Sequence, residues 1–289
     1  MVIVCSKIGQ LGNRLTHMAN LFANSMHYGY NIVYPYFDDY AQYFESFDKK
    51  NKIVLGQNRI RISFGKFSLE IICYLLNKLC NFLHKHPSKK LKLYRNYKEY
   101  WTDNYDLNDI EFQKDVQSKH VLLQGWLFRD YVHIEQYHDA ICNLFTPKDW
   151  ILSEVKKIML AASEEGGAIV GVHIRRGDYK NYNDGIYYYV DEVYRKLMHE
   201  VSLLLNGRVT FIICSNEEIN INMFKGLDLL YDKRHFMVDL YTLASCDYII
   251  GPPSSFTNWA SYYGNVPLLK IFNSNQKVSL SDFEIRKQC

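Results

Sequence analysis

The signatures of metal and cofactor chemistry are what this 289-residue chain lacks first. No G-x-x-x-x-G-K-[ST] occurs, which argues against P-loop hydrolysis. The glycine turn "GQLGN" (Gly9 to Asn13) is not G-x-G-x-x-G, so a nicotinamide site has little support. There is no D-x-D, the usual metal handle for a sugar diphosphate, and neither H-E-x-x-H nor G-x-S-x-G. No metal and no cofactor is therefore expected. Cysteines stand at 5, 73, 80, 142, 214, 246 and 289, with no C-x-x-C pair and no zinc-finger spacing. Such a dispersed, odd set reads as reduced thiols that serve as small core hydrophobes, and the expected compartment is the cytoplasm.

Excess charge is also missing. The formal net charge is +3, too small a surplus to imply a nucleic-acid partner. The opening "MVIVCSKIGQLGN" has no basic leader and no small-residue cleavage site, and reads as a first strand. The most lipid-like stretch, Phe67 to His84, is interrupted by Glu70, Asn77 and Lys78 and falls short of a span. A buried or interfacial helix is expected there. The basic block after it, Lys85 to Arg95, gives residues 67–95 two readings. One is a peripheral contact with an anionic membrane surface at its inner face; the other is a solvated loop beside a core helix.

What is present is globular composition, with 48% hydrophobic and 22% charged residues. "VIVCS", "GQLGN" and "RLTHMANLFANSMHYG" read as strand, turn and helix, and "NIVYP" as the next strand. Strand, helix, strand is the unit of a parallel sheet. The middle, about 38 to 120, is irregular. "KHVLLQGWLF" reads as a returning strand and "IEQYHDAICNLF" as a helix. A boundary is placed beside Pro147, giving domains 1–148 and 149–289. The second begins with an amphipathic helix, then "AIVGVHI", a strand buried on both faces. It alternates onward through "RVTFIICS", "DYIIG" and "VPLLKI". The expected fold class is α/β, with two Rossmann-like domains facing across a cleft.

In open parallel sheets ligands bind at the carboxyl ends of strands. Those ends carry Arg175, Arg176 and Asp178 after "AIVGVHI", and Ser215 after "RVTFIIC". Ser254 and Ser255 open a helix after "DYIIG", and Gly12 and Asn13 follow the first strand. Guanidinium groups meet phosphate oxygens bidentately at any working pH, and a helix N-terminus is a second anion site. Singly, an Arg-Arg pair is often a surface or salt-bridged feature and Ser-Ser an N-cap. The shared position at strand ends is what suggests a diphosphate. The tyrosine clusters "YRNYKEYW" and "YNDGIYYY" read as sugar stacking or as packing.

"GVHIRRGDY" resembles the H-x-R-R-G-D-Y motif of the α-1,2-fucosyltransferases, glycosyltransferase family eleven, within the wider GDP-fucose-dependent fucosyltransferases. "GQLGNRLTHMANLFANSMHYG", "LLQGWLFRDY", "FIICSNE" and "DLYTLASCDYIIGPPSSFTNWASYYG" resemble further family segments, in order, from residue 9 to about 270. The resemblance implies a GT-B fold and metal-independent, inverting transfer of L-fucose from GDP-fucose to a glycan hydroxyl, with an α-1,2 linkage to galactose. It implies that Arg175 binds the β-phosphate, that Arg176 assists or holds the cleft, and that His173 lines the nucleotide site. It likewise matches Asp239 to guanine recognition, Ser254, Ser255 and Phe256 to phosphate binding, and Gly12 and Asn13 to a loop against donor or acceptor. Gln10, Arg14, Thr16, His17 and Asn258 depart from the family pattern and bear on acceptor and linkage more than on donor.

As the bond from the sugar to the β-phosphate breaks, negative charge builds on the departing phosphate, and a fixed Arg175 is expected to stabilise it most in the transition state. Asp178 and Asp184 are candidate bases, Asp178 equally a salt-bridge partner of the arginines. His17 and His27 face either cleft or solvent. Alternative functions are a transferase of the same fold with another nucleotide sugar or linkage, and a non-catalytic nucleotide- or carbohydrate-binding relative. Oligomeric state is open.

Overall fold

The computed structural model describes residues 1–47, 52–55, 58–61, 69–96, 104–164 and 166–286. Phe67, Ser68, the tyrosine cluster from residue 97 to 101 and Cys289 lie outside them. The chain forms two compact units, the first over Met1–Pro147 and the second beginning at Lys148.

The first unit runs β1 (Val2–Val4), α1 (Leu11–Tyr28), β2 (Ile32–Val33), α2 (Asp38–Ala41), β3 (Lys52–Leu55), β4 (Asn58–Arg61), α3 (Leu69–Lys85) and β5 (Leu91–Asn96). It continues with β6 (Tyr105–Asp106), α4 (Ile110–Ser118), β7 (His120–Gly125), β8 (Phe128–Arg129), α5 (His133–Gln136) and α6 (His138–Leu144). Six strands form one sheet in the order β3-β4-β2-β1-β7-β5, parallel except for the β3–β4 pair. The apolar β1 buries Val2 and Val4, and α1 buries Leu15, Met18, Leu21 and Phe22.

Three local expectations are corrected here. The basic block after α3 is not all loop: Leu91–Asn96 is an edge strand paired with β7. Alternation explains it, because Leu91 and Leu93 pack on Cys5, Cys80 and Leu122. The "GQLGN" turn ends at Gln10, so Gly12 and Asn13 belong to the first turn of α1. Gly9 takes φ +34°, and a Cβ there would sit 2.0 Å from Asn13 Nδ2. Finally, "IEQYHDAICNLF" breaks into two short helices at Tyr137.

His17 does not face solvent. It is fully buried in the first unit, with Nδ1 3.1 Å from the Tyr34 hydroxyl. Burial, aided by the charge of Arg129, pushes its pKa down to about 3. The unfolded chain therefore takes up a proton between about pH 6.5 and 3 that the folded chain refuses. A lowered pKa of this kind makes stability fall as pH falls through that window, by up to about 1.4 kcal/mol per pH unit. Urea unfolding of His17→Gln is expected to show a shallower loss of stability from pH 6 to 4 than the unsubstituted protein. Equal slopes would remove His17 from the acid response. His27 is exposed and stacks on His133 at 3.7 Å.

The second unit runs α7 (Asp149–Ser163), β9 (Ala168–Ile174), α8 (Asp191–Leu204), β10 (Val209–Ser215), β11 (Asp228–Leu230), α9 (Phe236–Leu243), β12 (Tyr248–Gly251), α10 (Ser255–Gly264) and β13 (Leu268–Lys270). The strands are all parallel, in the order β11-β10-β9-β12-β13. Counted within the unit this is 3-2-1-4-5, the doubly wound order, and its switch point lies between β9 and β12. Val170, Val172 and Ile174 point into a core with Tyr194, Leu197, Met198 and Val201 of α8. The opposite face of β9 carries Gly171, where a Cβ would meet Leu243 Cδ2 at 2.6 Å and Cys246 Sγ at 3.1 Å. A side chain at 171 would push α9 off the sheet.

Candidate active site

The switch point places the carboxyl end of β9 beside the start of α10. His173, the penultimate residue of β9, is buried and stacks its ring on Phe256 at 5.1 Å. Gly251 on the neighbouring strand keeps this approach open, since a Cβ there would lie 3.2 Å from that of His173. Burial, then the nearby charge of Arg175, pushes the His173 pKa down to about 3. The imidazole is neutral at working pH and can accept or donate a hydrogen bond, but it is no proton reservoir.

Arg175 leaves the strand at its rim with 16% of its side chain exposed. Its Nη2 lies 2.7 Å from Asp178 Oδ1, and its guanidinium covers the Tyr179 ring at 5.3 Å. Asp178 is half exposed, so the ion pair is weak and can be exchanged for another anion. This geometry favours the salt-bridge role for Asp178 over that of a base. Tyr179 is buried, and its hydroxyl donates to the Pro253 carbonyl at 2.7 Å. It ties the arginine loop to the segment that opens α10. There the Ser254 hydroxyl accepts from the Phe256 N–H at 3.1 Å, Ser255 begins the helix, and both serines are half-buried. A guanidinium fork and a helix N-terminus thus converge at the switch point.

Arg176 points the other way. Its guanidinium is buried, pairs with Asp191, donates to the Tyr189 carbonyl, and lies over the rings of Tyr188 and Tyr194. Its backbone N–H donates to Asn216 Oδ1 at 2.8 Å. The catalytic reading of Arg176 gives way to a positioning one: it anchors the loop that presents Arg175. Tyr188 and Tyr189 are spent on that anchorage, and Tyr182 stacks on Tyr179 at 5.2 Å, so this tyrosine cluster packs.

Asp184 is exposed, with φ +56°. It lies between Asn183 and Gly185, which also have positive φ, so three successive residues hold a left-handed backbone. Ser215 ends β10 half-buried, its hydroxyl accepting from the Glu217 N–H at 3.3 Å. Asp239, in the first turn of α9, is buried and paired with Arg234, Nε to Oδ1 2.9 Å. Burial raises the Asp239 pKa, and the Arg234 charge opposes the rise. Arg234 also donates to the Ile213 carbonyl at the end of β10. Gly12 and Asn13 lie in the first unit, at the start of α1.

The structure therefore gathers His173, Arg175, Ser254, Ser255 and Phe256, with Asp239 in α9 of the same unit. Sequence reasoning missed Tyr179 as the tie, although it closes the R-R-G-D-Y run. It also missed Arg234, and it marked Arg14 only as a departure from the family pattern. Arg14 is almost fully buried and donates to the carbonyls of Ile8 at 3.1 Å and Tyr36 at 2.6 Å, and to Asp39 Oδ2 at 2.7 Å. A lone arginine inside an apolar helix face was the available signal. Lys270, paired in register with Gly251, is a further unanticipated group, pushed down to about 8 by burial and then by the charge of Arg286. Among the described residues no cluster of three or more His, Cys, Asp or Glu could hold a metal ion.

The sequence pattern of glycosyl transferase family 11 matches residues 75–288. Among solved structures, a mutant of Arabidopsis thaliana FUT1 in complex with GDP aligns with a TM-score of 0.60 at 13% identity, over 96% of this chain and 72% of that one. The fucosyltransferase NodZ from Bradyrhizobium aligns at 0.54 and 14% identity, over 96% of both chains. POFUT1 in complex with GDP-fucose aligns at 0.53 and 11%, over 94% and 96%. No curated protein sequence matches the chain. At these identities the structural likeness shows the fold, and the expected α/β class of GT-B type with two Rossmann-like units is borne out.

Proposed function

Because this chain belongs to glycosyl transferase family 11, we propose that it transfers L-fucose from GDP-fucose to a glycan hydroxyl, with inversion, forming an α-1,2 linkage to galactose. The observation that carries the reading is the Tyr179–Pro253 hydrogen bond, which holds the Arg175 fork beside the Ser254-capped start of α10. Two positive elements at one switch point suit a diphosphate held without metal. Solved structures of the same fold hold GDP or GDP-fucose, as FUT1 and POFUT1 do, and this supports the donor.

In this reading the acceptor oxygen attacks the fucose anomeric carbon from the face opposite GDP. The bond from that carbon to the β-phosphate oxygen breaks, and its electron pair leaves with GDP. Arg175 and the α10 N-terminus stabilise the charge that develops there. His173 and Phe256 line the nucleotide, Asp239 reads guanine, and Ser215 belongs to the same rim. Gly12 and Asn13 act from the first unit, on the acceptor side. With Asp178 engaged by Arg175, Asp184 is the carboxylate proposed to receive the acceptor proton. The proposed setting is the cytoplasm, with residues 67–95 against the inner face of the membrane.

The test is a panel of nucleotide sugars against a glycan array, with linkage analysis of the product. Turnover of GDP-fucose to an α-1,2-fucosylated galactoside is expected. Turnover of a different nucleotide sugar alone, or GDP binding without transfer, overturns the proposal.

A further inference from the structure

Helix α3 packs one face on the sheet of the first unit and exposes large apolar side chains on another. Leu76, Leu79, Cys80 and Leu83 pack on Ile3, Cys5, Leu91, Leu93 and Leu122. The outer face carries Ile71, Tyr74, Leu75 and Phe82, each more than half exposed. Their spacing (71, 75, 82, with Tyr74 alongside) is that of one helical stripe. Scattered exposed apolar residues are ordinary; four large ones in one stripe are not.

The charge around the stripe has one sign. Lys78 lies 4.6 Å from the Tyr74 ring centroid, extending its stem over the apolar surface. Lys85, Lys89 and Lys90 are exposed at the C-terminal end, with His84 and His86 on either side of Lys85. From residue 69 to 90 the one acidic residue is Glu70, at the opposite end.

We propose that this face of α3 docks on an anionic lipid surface, lying in the plane of the headgroups with Ile71, Tyr74, Leu75 and Phe82 inserted and the lysines among lipid phosphates. This deepens the membrane contact in the reading above by naming its face and its lipid chemistry. No described helix is long and apolar enough to cross a membrane, which suits in-plane binding. A second copy of the chain is a poor occupant, because a two-fold contact centred on the helix would set Lys78, at its middle, against its own image. An aliphatic and aromatic stripe edged by lysine is the pattern that partitions into the interface.

The experiment is flotation of the full chain with vesicles, in low salt, beside a GDP-fucose turnover assay in vesicle-free buffer. One set of vesicles is phosphatidylcholine alone; the other holds equal parts phosphatidylcholine and phosphatidylglycerol. Binding is expected to the second set only, and to weaken with added salt. Leu75→Ser with Phe82→Ser is expected to lower it at least about tenfold. Lys85→Gln with Lys89→Gln should lower it about fivefold per lysine. All four substitutions are on the surface, so turnover and melting temperature should hold. Absence of binding to phosphatidylglycerol vesicles overturns the proposal. So does undiminished binding of the Leu75→Ser, Phe82→Ser variant, or a dimer in sedimentation that this variant dissolves. A chain that transfers fucose without floating refutes the lipid face alone; one that floats without transferring refutes the donor assignment alone.

Discussion

Arg175→Ala is expected to reduce GDP-fucose turnover about 10²–10³-fold, the usual cost of removing one donor aimed at developing oxyanion charge. The proposed step leaves its charge on a β-phosphate, and Arg175 is the guanidinium presented at the rim of the switch point. Two observations separate this loss from a folding defect. The alanine variant gives up a partly exposed ion pair to Asp178, so unfolding free energy should move by less than about 1 kcal/mol. The buried anchorage of the loop belongs to Arg176 and stays intact. Arg175→Lys should fall between the two, since lysine keeps the charge and loses the fork. The loss should appear in kcat as well as in kcat/KM, because the charge it meets is largest in the transition state. An alanine variant that keeps more than about a tenth of the turnover removes Arg175 from the chemistry.

Arg234→Met should cost stability instead, by about 3–5 kcal/mol at neutral pH, because it strands a buried carboxylate. Both side chains of the Arg234–Asp239 pair are about nine-tenths covered. Burial already raises the Asp239 pKa, and Arg234 is the group that opposes the rise. A carboxylate with a raised folded-state pKa contributes its full stability below the unfolded value of 3.8 and loses it as pH climbs through the folded value. Removing Arg234 lengthens that climb. The deficit of Arg234→Met against the unsubstituted protein should therefore be small near pH 4 and grow toward pH 7. Adding Asp239→Asn should recover much of it. Denaturant unfolding at several pH values reads this directly, and a deficit independent of pH would refute the coupling. The double variant should still lose donor affinity, since guanine is proposed to meet the Asp239 carboxylate.

The second unit was legible in the chain because its strands are continuous apolar runs ending in polar groups. "AIVGVHI" and "RVTFIICS" announce strands buried on both faces, and the ladder pairs them from Ala168 with Val209 to Ile174 with Ser215. The rim residues followed from that, including His173, Arg175 and Ser254. Side-chain direction was not legible. Arg175 and Arg176 are the same letter twice, yet one reaches the rim and the other turns under Asp191, because successive residues of an extended segment point to opposite sides. Long-range pairings were equally hidden: nothing in the string joins Tyr179 to Pro253. In the first unit the lysines of "KKLKLYR" masked an edge strand, whose two-residue period shows in Leu91 and Leu93 once Lys92 is read as its outer side.

Arg14 has a consequence for how such a chain can diverge. One guanidinium is bound at once to the carbonyls of Ile8 and Tyr36 and to Asp39. Exchange of this arginine for a shorter amide would leave two carbonyls and a carboxylate without their common donor. A change at position 14 is thus expected to be tolerated best with a matching change at 39, since the two side chains together hold the turn after the first strand.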